Sequence, residues 1–269
     1  MKRIRFFSLV VLFMSVLFIS CNSGQRSGEA ATDPTEEQYD PEKEGTVLEA
    51  ISELNTTAPF YIINIEAAED ELIASDKVRE LRKTYEKANY LWIPDYASLS
   101  GKKLYSVFIG PFGLHEEEAV MKELLSRKKT DKNAYALLVS HENKRIEMHD
   151  KYDIRVNGKK QKLIIAWSDP VSVEEYFDAG GEDWGWYMND VSEYFATHYG
   201  DVVRMYYMPE WLTEKELRTL VREAGGDPEV FGYVFLDGKK KSYVQHNPSF
   251  VVIAAATQFF GLKYIEESY

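Results

Sequence analysis

The chain reads as a mixed α+β and α/β protein: an open-faced βαββαβ sheet comes first and a second α/β unit follows. Three observations predict this. A length of 269 residues with 45% hydrophobic and 14% aromatic content fills more than one core. Between residues 58 and 140, short β-branched runs alternate with stretches of helical period. A polar stretch, His141 to Asp150, then separates this region from one with a different order of elements.

In the first region Phe60-Tyr61-Ile62-Ile63-Asn64-Ile65 is a strand. Leu72 to Ala88 carries Val78, Leu81 and Tyr85 at helical spacing. Tyr90 to Ile93 is a strand stopped by Pro94-Asp95, and Leu104 to Ile109 is another, ended by Gly110-Pro111. His115 to Lys128 is amphipathic through Ala119, Met121, Leu124 and Leu125, and Ala134 to Val139 is the last strand. Two strand-helix-strand halves in one sheet make a split βαβ arrangement, with helices on one face and the other open. Strand alternation assigns Tyr61, Ile63, Ile65, Leu91, Ile93, Val107 and Ile109 to the helix side. The open side then presents Ile62, Asn64, Tyr90, Trp92, Ser106 and Phe108.

In the second region, 151–269, Tyr152 to Val156 and Lys160 to Trp167 flank Asn157-Gly158, a hairpin signal. Helical stretches follow around Val173 to Phe177 and from Trp184 to Tyr199, interrupted by Gly180-Gly181, and Val202 to Met208 is a strand. Thr213 with Glu216 forms a capping box for a helix ending at Gly225-Gly226. Phe231 to Leu236 and Lys241 to Gln245 form a hairpin around Asp237-Gly238, and Asn247-Pro248 opens a last helix, Phe250 to Phe260.

Composition excludes several functions. With 44 acidic and 32 basic residues the formal charge is −12, the wrong sign for a binder of nucleic-acid backbones. One cysteine excludes an intrachain disulfide framework, a four-cysteine zinc site and a Cys-x-x-Cys pair. No phosphate loop or dinucleotide fingerprint occurs, and no cofactor is expected. His141, Glu142 and His149 lack the i, i+4 histidine spacing of a zinc helix, while His198 and His246 stand alone. Asp178, Glu182, Asp183 and Asp190 near Trp184, Trp186 and Tyr187 could line a glycan-cleaving cleft. A solvated acidic helix face explains them better, so the chain is expected not to be an enzyme.

The N-terminus carries its own signal. Lys2, Arg3 and Arg5 precede an apolar run from Phe6 to Ile19, shorter than the ~20 residues of a membrane span. Leu17-Phe18-Ile19-Ser20-Cys21 resembles a bacterial lipoprotein box, with Phe18 where Leu is more usual. The resemblance implies a signal peptide over 1–21, cleavage before Cys21, acylation of that cysteine and anchoring in the envelope, at the outer membrane facing the periplasm. Cleavage removes three basic residues and leaves 44 acidic against 29 basic. Residues 22–57, with Gly24, Gly28, Pro34 and Pro41 and an acidic excess, read as a flexible tether.

Two further resemblances concern the folded region. Tyr105 to Phe112, ending in Gly110-Pro111-Phe112 and followed by Glu116-Glu117-Glu118-Ala119 and Leu124, resembles the second half of a SPOR domain. The match spans 58–140, under a third of the chain. It departs at Glu66-Ala67-Ala68, where that family usually ends its first strand in a Gly-Ser-Phe type sequence. The resemblance implies binding of peptidoglycan glycan strands stripped of stem peptides, through the open sheet face. Its rings would stack on sugar faces and its Asn64 and Ser106 would bond hydroxyls. The same aromatics could instead be core, or could meet an envelope protein partner. The element order of 151–269 is similar to a thioredoxin-like fold, with Trp167-Ser168-Asp169-Pro170-Val171 where such proteins keep Trp-Cys-x-x-Cys. Ser168 and Val171 replace both cysteines and no proline directly precedes Phe231, so dithiol chemistry is excluded.

Overall fold

A computed structural model describes residues 57–169 and 183–266 of the chain, with side chains from 187 onward in the second stretch. The expected signal peptide with Cys21, the tether as far as residue 56, and the short helix around Val173 to Phe177 lie outside them. The described residues belong to one unit, Glu49–Tyr269.

The first sheet starts with β1 (Phe60–Ala68), followed by α1 (Glu71–Leu81), β2 (Ala88–Trp92), β3 (Tyr105–Phe112), α2 (Glu117–Arg127) and β4 (Tyr135–Val139). Strand order is β2-β3-β1-β4, every pairing antiparallel. The sheet does not stop there. β5 (Ile146–Asp150), β6 (Asp153–Val156) and β7 (Lys159–Lys160) extend it in sequence, so the polar stretch expected to lie between separate domains instead adds a strand. Asn157 and Gly158 both take positive φ, 49° and 77°, which gives the β6–β7 hairpin its tight two-residue turn.

The anticipated second hairpin strand splits at Gln161. Lys159–Lys160 stays in the first sheet, whereas β8 (Lys162–Trp167) becomes a central strand of another. From Leu163 to Trp167 every residue is buried, as a strand covered on both faces requires. Then come α3 (Asp183–Tyr199), β9 (Val203–Tyr207), α4 (Glu214–Glu223), β10 (Gly232–Asp237), β11 (Lys240–Gln245) and α5 (Ser249–Phe260). The order is β11-β10-β8-β9, with β8 and β9 parallel and the other pairings antiparallel.

Local signals explain the helix ends. Asp70 caps α1 by accepting from Leu72 N at 2.7 Å. That helix ends at Leu81, seven residues before the periodicity suggests, because Thr84 and Tyr85 N–H groups turn back onto the Leu81 carbonyl and feed β2 beneath it. In α4 the capping box forms as read: Thr213 Oγ1 accepts from Glu216 N, and Glu216 Oε2 accepts from Thr213 N at 2.8 Å. Its other end closes when Gly225 adopts φ +87° and Gly226 N–H bonds the Val221 carbonyl at 2.9 Å.

One apolar cluster joins the two sheets. It contains Tyr61, Ile63 and Ile109 from the first sheet, Val120, Met121 and Leu124 from α2, and Met148 and Ile154 from the added strands. The same cluster holds Leu163, Ile165 and Trp167 of β8, Leu217, Leu220 and Val221 of α4, and Val234 of β10. The far face of the second sheet packs Ile164, Tyr233 and Phe235 beneath α3 and α5 through Val191, Phe195, Val252 and Phe260. Each fully buried large side chain contributes roughly 1.5–3 kcal/mol. Because the first cluster draws on both halves, a chain of residues 46–269 is expected to unfold in one transition, with coincident fluorescence and circular-dichroism midpoints. Residues 58–140 alone, with Val120, Met121 and Leu124 deprived of cover, are expected to show no cooperative transition under the same scan.

Candidate functional site

The ring-bearing sheet face is closed. Ile62 and Phe108 do point away from the helices, yet both are fully buried. Their cover is the β2–β3 connection: Ile93 and Tyr96 join the same cluster as Ile62, Leu91, Phe108, Leu137 and Val139, with Leu99 and Leu104 packed against it. Ser98 ties this cover to β4, its Oγ accepting from Ser140 N at 2.7 Å. Ser106 is buried too and donates to Asn64 Oδ1 at 2.8 Å, so the two polar groups expected to meet sugar hydroxyls satisfy each other.

The strand β2 has the opposite parity to the one expected. Tyr90 pairs with Val107 and Trp92 with Tyr105, which places both aromatics on the helix side and sends Leu91 and Ile93 to the covered face. Tyr90 is buried against α1, where its hydroxyl donates to Glu71 at 3.0 Å. Trp92 is half-buried, its ring 4.6 Å from that of Tyr105. Neither aromatic belongs to the sheet face that the sequence assigned to it.

A polar clamp crosses between the sheets. The Glu117 carboxylate on α2 accepts from Tyr61 Oη of β1 at 2.9 Å and from Tyr206 Oη of β9 at 2.6 Å, and pairs with Arg204. Burial, then the Glu117 charge, pushes the Tyr61 phenol up to about 12, and burial raises Tyr206 well above its usual range. Burial opposes the Arg204 charge, but Tyr206, Glu117 and Tyr61 outweigh it and hold the guanidinium protonated. All four partners are thereby accounted for. The cluster is a fastener: three of the roughly four acceptor sites of the Glu117 carboxylate are already engaged across the sheets.

The ends of parallel strands are where open α/β sheets place ligands. Past β8, Ser168 and Asp169 are both buried. Ser168 Oγ lies 3.0 Å from Tyr207 Oη and 3.4 Å from Met208 Sδ. A phenol and a thioether are both poor general bases. Asp169 pairs with Arg218 of α4, which also reaches Glu214 at 2.8 Å and Glu229 at 2.7 Å, and stands 5.4 Å over the Trp167 ring. Glu214's hydrogen bond leads the causes that raise the Arg218 pKa. Trp167 Nε1 donates to the Pro228 carbonyl at 2.9 Å, so β8, α4 and the entry to β10 are locked together.

Beside this end lies a histidine among rings. His246 stands 4.5 Å from Phe231, 5.7 Å from Tyr187 and 6.2 Å from Tyr233 between centroids. Burial lowers the His246 pKa, and its Nδ1 has no hydrogen-bond partner among the described residues. The Tyr233 hydroxyl is likewise buried and unbonded among them, and burial followed by the Asp190 charge raises its pKa. A single histidine gives no sequence pattern; β10–β11 pairing brings Phe231, Tyr233 and His246 together, and α3 supplies Tyr187.

The other sequence candidates do not converge. His141 stacks on Tyr96 and His149 on Tyr135, while His198 meets the edge of Tyr194. Asp190 is exposed on α3 and accepts from Ser249 Oγ at 3.0 Å. Asp178 and Glu182 lie outside the described residues, as does the Asp183 side chain. Among the described residues no group of acidic, histidine or cysteine side chains could hold a metal ion, and no helix is long and apolar enough to cross a membrane. Comparison with known proteins finds no matching family model, no similar curated protein and no similar solved structure.

Phe108→Ala is expected to cost about 3–5 kcal/mol in chemical denaturation, the range for deleting a buried aromatic. Glu117→Ala, which strands Arg204 with only phenols, should cost about 3 kcal/mol in the same measurement. For His246 the folded pKa lies below the unfolded value, so protonation favours the unfolded chain and stability falls as pH drops through about 6.5. Melting temperatures from pH 7.5 to 5 should therefore decline less steeply in His246→Phe than in the wild type.

Proposed function

We propose that this protein is a lipid-anchored envelope protein that binds another protein and carries out no catalysis of its own. The observation that carries the choice of partner is the closure of the ring-bearing sheet face by Ile93, Tyr96, Leu99 and Leu104. A polysaccharide needs a strip of accessible rings and hydroxyl partners, and here Ile62 and Phe108 are packed while Asn64 and Ser106 bond each other.

The order β2-β3-β1-β4 with α1 and α2 on one face supports a SPOR-like reading of the first sheet, with β5–β7 as an addition. The order β11-β10-β8-β9, with β8 parallel to β9, supports a thioredoxin-like reading of the second. Ser168 beside Tyr207 at the end of β8 supports a non-catalytic role for it. The anchor rests on the basic start, the apolar run and Cys21.

Two measurements test the proposal. Metabolic labelling with radioactive palmitate should mark the full chain and leave Cys21→Ser unlabelled; an unlabelled wild type would remove the anchor. Residues 46–269 are expected to stay in the supernatant when peptidoglycan sacculi are pelleted. Cosedimentation would overturn the protein-partner reading and restore the glycan strand as ligand.

A further inference from the structure

A groove runs between α3, α5 and the segment that follows α5, enclosing about 400 Å³. That volume suits the tip of one bulky side chain and its neighbours. Tyr194, Ile253 and Ile265 supply apolar walls, and Asp190, Glu193 and Glu266 supply charge. Two large apolar residues at the groove stay in solvent, Phe250 at 62% and Tyr264 at 40% exposure.

The wall after α5 is held in place. Leu262 N–H bonds the Thr257 carbonyl at 2.8 Å, and Ile265 N–H donates to Tyr194 Oη at 2.8 Å. The Tyr264 ring stacks on Tyr194 with centroids 6.1 Å apart, and Tyr199 Oη donates to the Lys263 carbonyl. This preformed geometry lowers the ordering cost of binding.

We infer that this groove docks a cationic, apolar segment of another protein, with Lys or Arg set between leucine-like residues. The charge argument selects that occupant. Glu193 and Glu266 form no ion pair among the described residues, and Asp190 bonds the Ser249 hydroxyl. The chain's own tether carries Glu29, Asp33, Glu36, Glu37, Asp40, Glu42 and Glu44 against Arg26 and Lys43, so it is repelled. A second copy, itself with a large acidic excess, is disfavoured for the same reason. An arginine or lysine stem can lie along Phe250 and Tyr264 while its head meets the carboxylates.

This inference rests on the binding reading above and names the partner's chemistry. The test uses residues 46–269 and a fluorescein-labelled, end-blocked peptide repeating Leu-Arg-Leu, read by anisotropy. Saturable binding is expected, weakened about tenfold by Glu193→Gln with Glu266→Gln and by Phe250→Ala, as for an anchor within a charged rim. A remote variant of equal charge change, Asp76→Asn with Glu80→Gln, should shift affinity less than about twofold. Absence of saturable binding, groove variants no weaker than the remote pair, or equal binding of a Leu-Glu-Leu peptide would each overturn it. The folded fragment lacks Cys21, so a failed palmitate label and a failed peptide titration remain separate results.

Discussion

The apolar layer shared by the two sheets is the constraint on which the rest of this protein depends. Met121 and Leu124 of α2 belong to the same cluster as Leu220 of α4 and Ile165 of β8, so neither half can complete its core by itself. Burying that surface is the dominant favourable contribution, and it is indifferent to direction. Direction comes from Glu117, whose bonds to Tyr61, Tyr206 and Arg204 fix how α2 meets β9. A half-buried carboxylate with three partners stabilises little in net terms, but it penalises every other packing of the same apolar faces.

The closed sheet face follows the same logic. A four-stranded sheet with Ile62, Leu91, Phe108, Leu137 and Val139 on one side would expose a large apolar patch, and the β2–β3 connection removes it. At the end of β8 the Asp169–Arg218 pair holds the chain against α4, and α3 and α5 leave an acidic groove between them on the opposite face of the sheet.

Signals of short range were legible from the residues. Asn157-Gly158, the Thr213–Glu216 box and the Gly225-Gly226 stop each specify backbone geometry within a few positions, and each forms as read. Parity in β2 was not legible. Its residues are buried on both sides, so alternation of apolar and polar character, the cue that separates faces, is missing from Tyr90-Leu91-Trp92-Ile93. Nor could the sequence assign Tyr96, Leu99 and Leu104 to a cover, since their spacing follows no regular period. β5 was hidden because Ile146–Asp150, an interior strand between β4 and β6, is short and mostly polar and so has the composition of a loop.

By itself, then, the amino-acid order determined the alternation of strands and helices, the turn and cap positions, the acidic balance and the absence of a dithiol. Those properties depend on neighbours along the chain or on composition. Tertiary structure decided which sheet faces meet solvent, that two apparent domains share one core, and that Asp190, Glu193 and Glu266 gather around exposed rings. Such outcomes come from contacts between residues far apart in sequence, where burial on both faces erases the local pattern that would otherwise announce them.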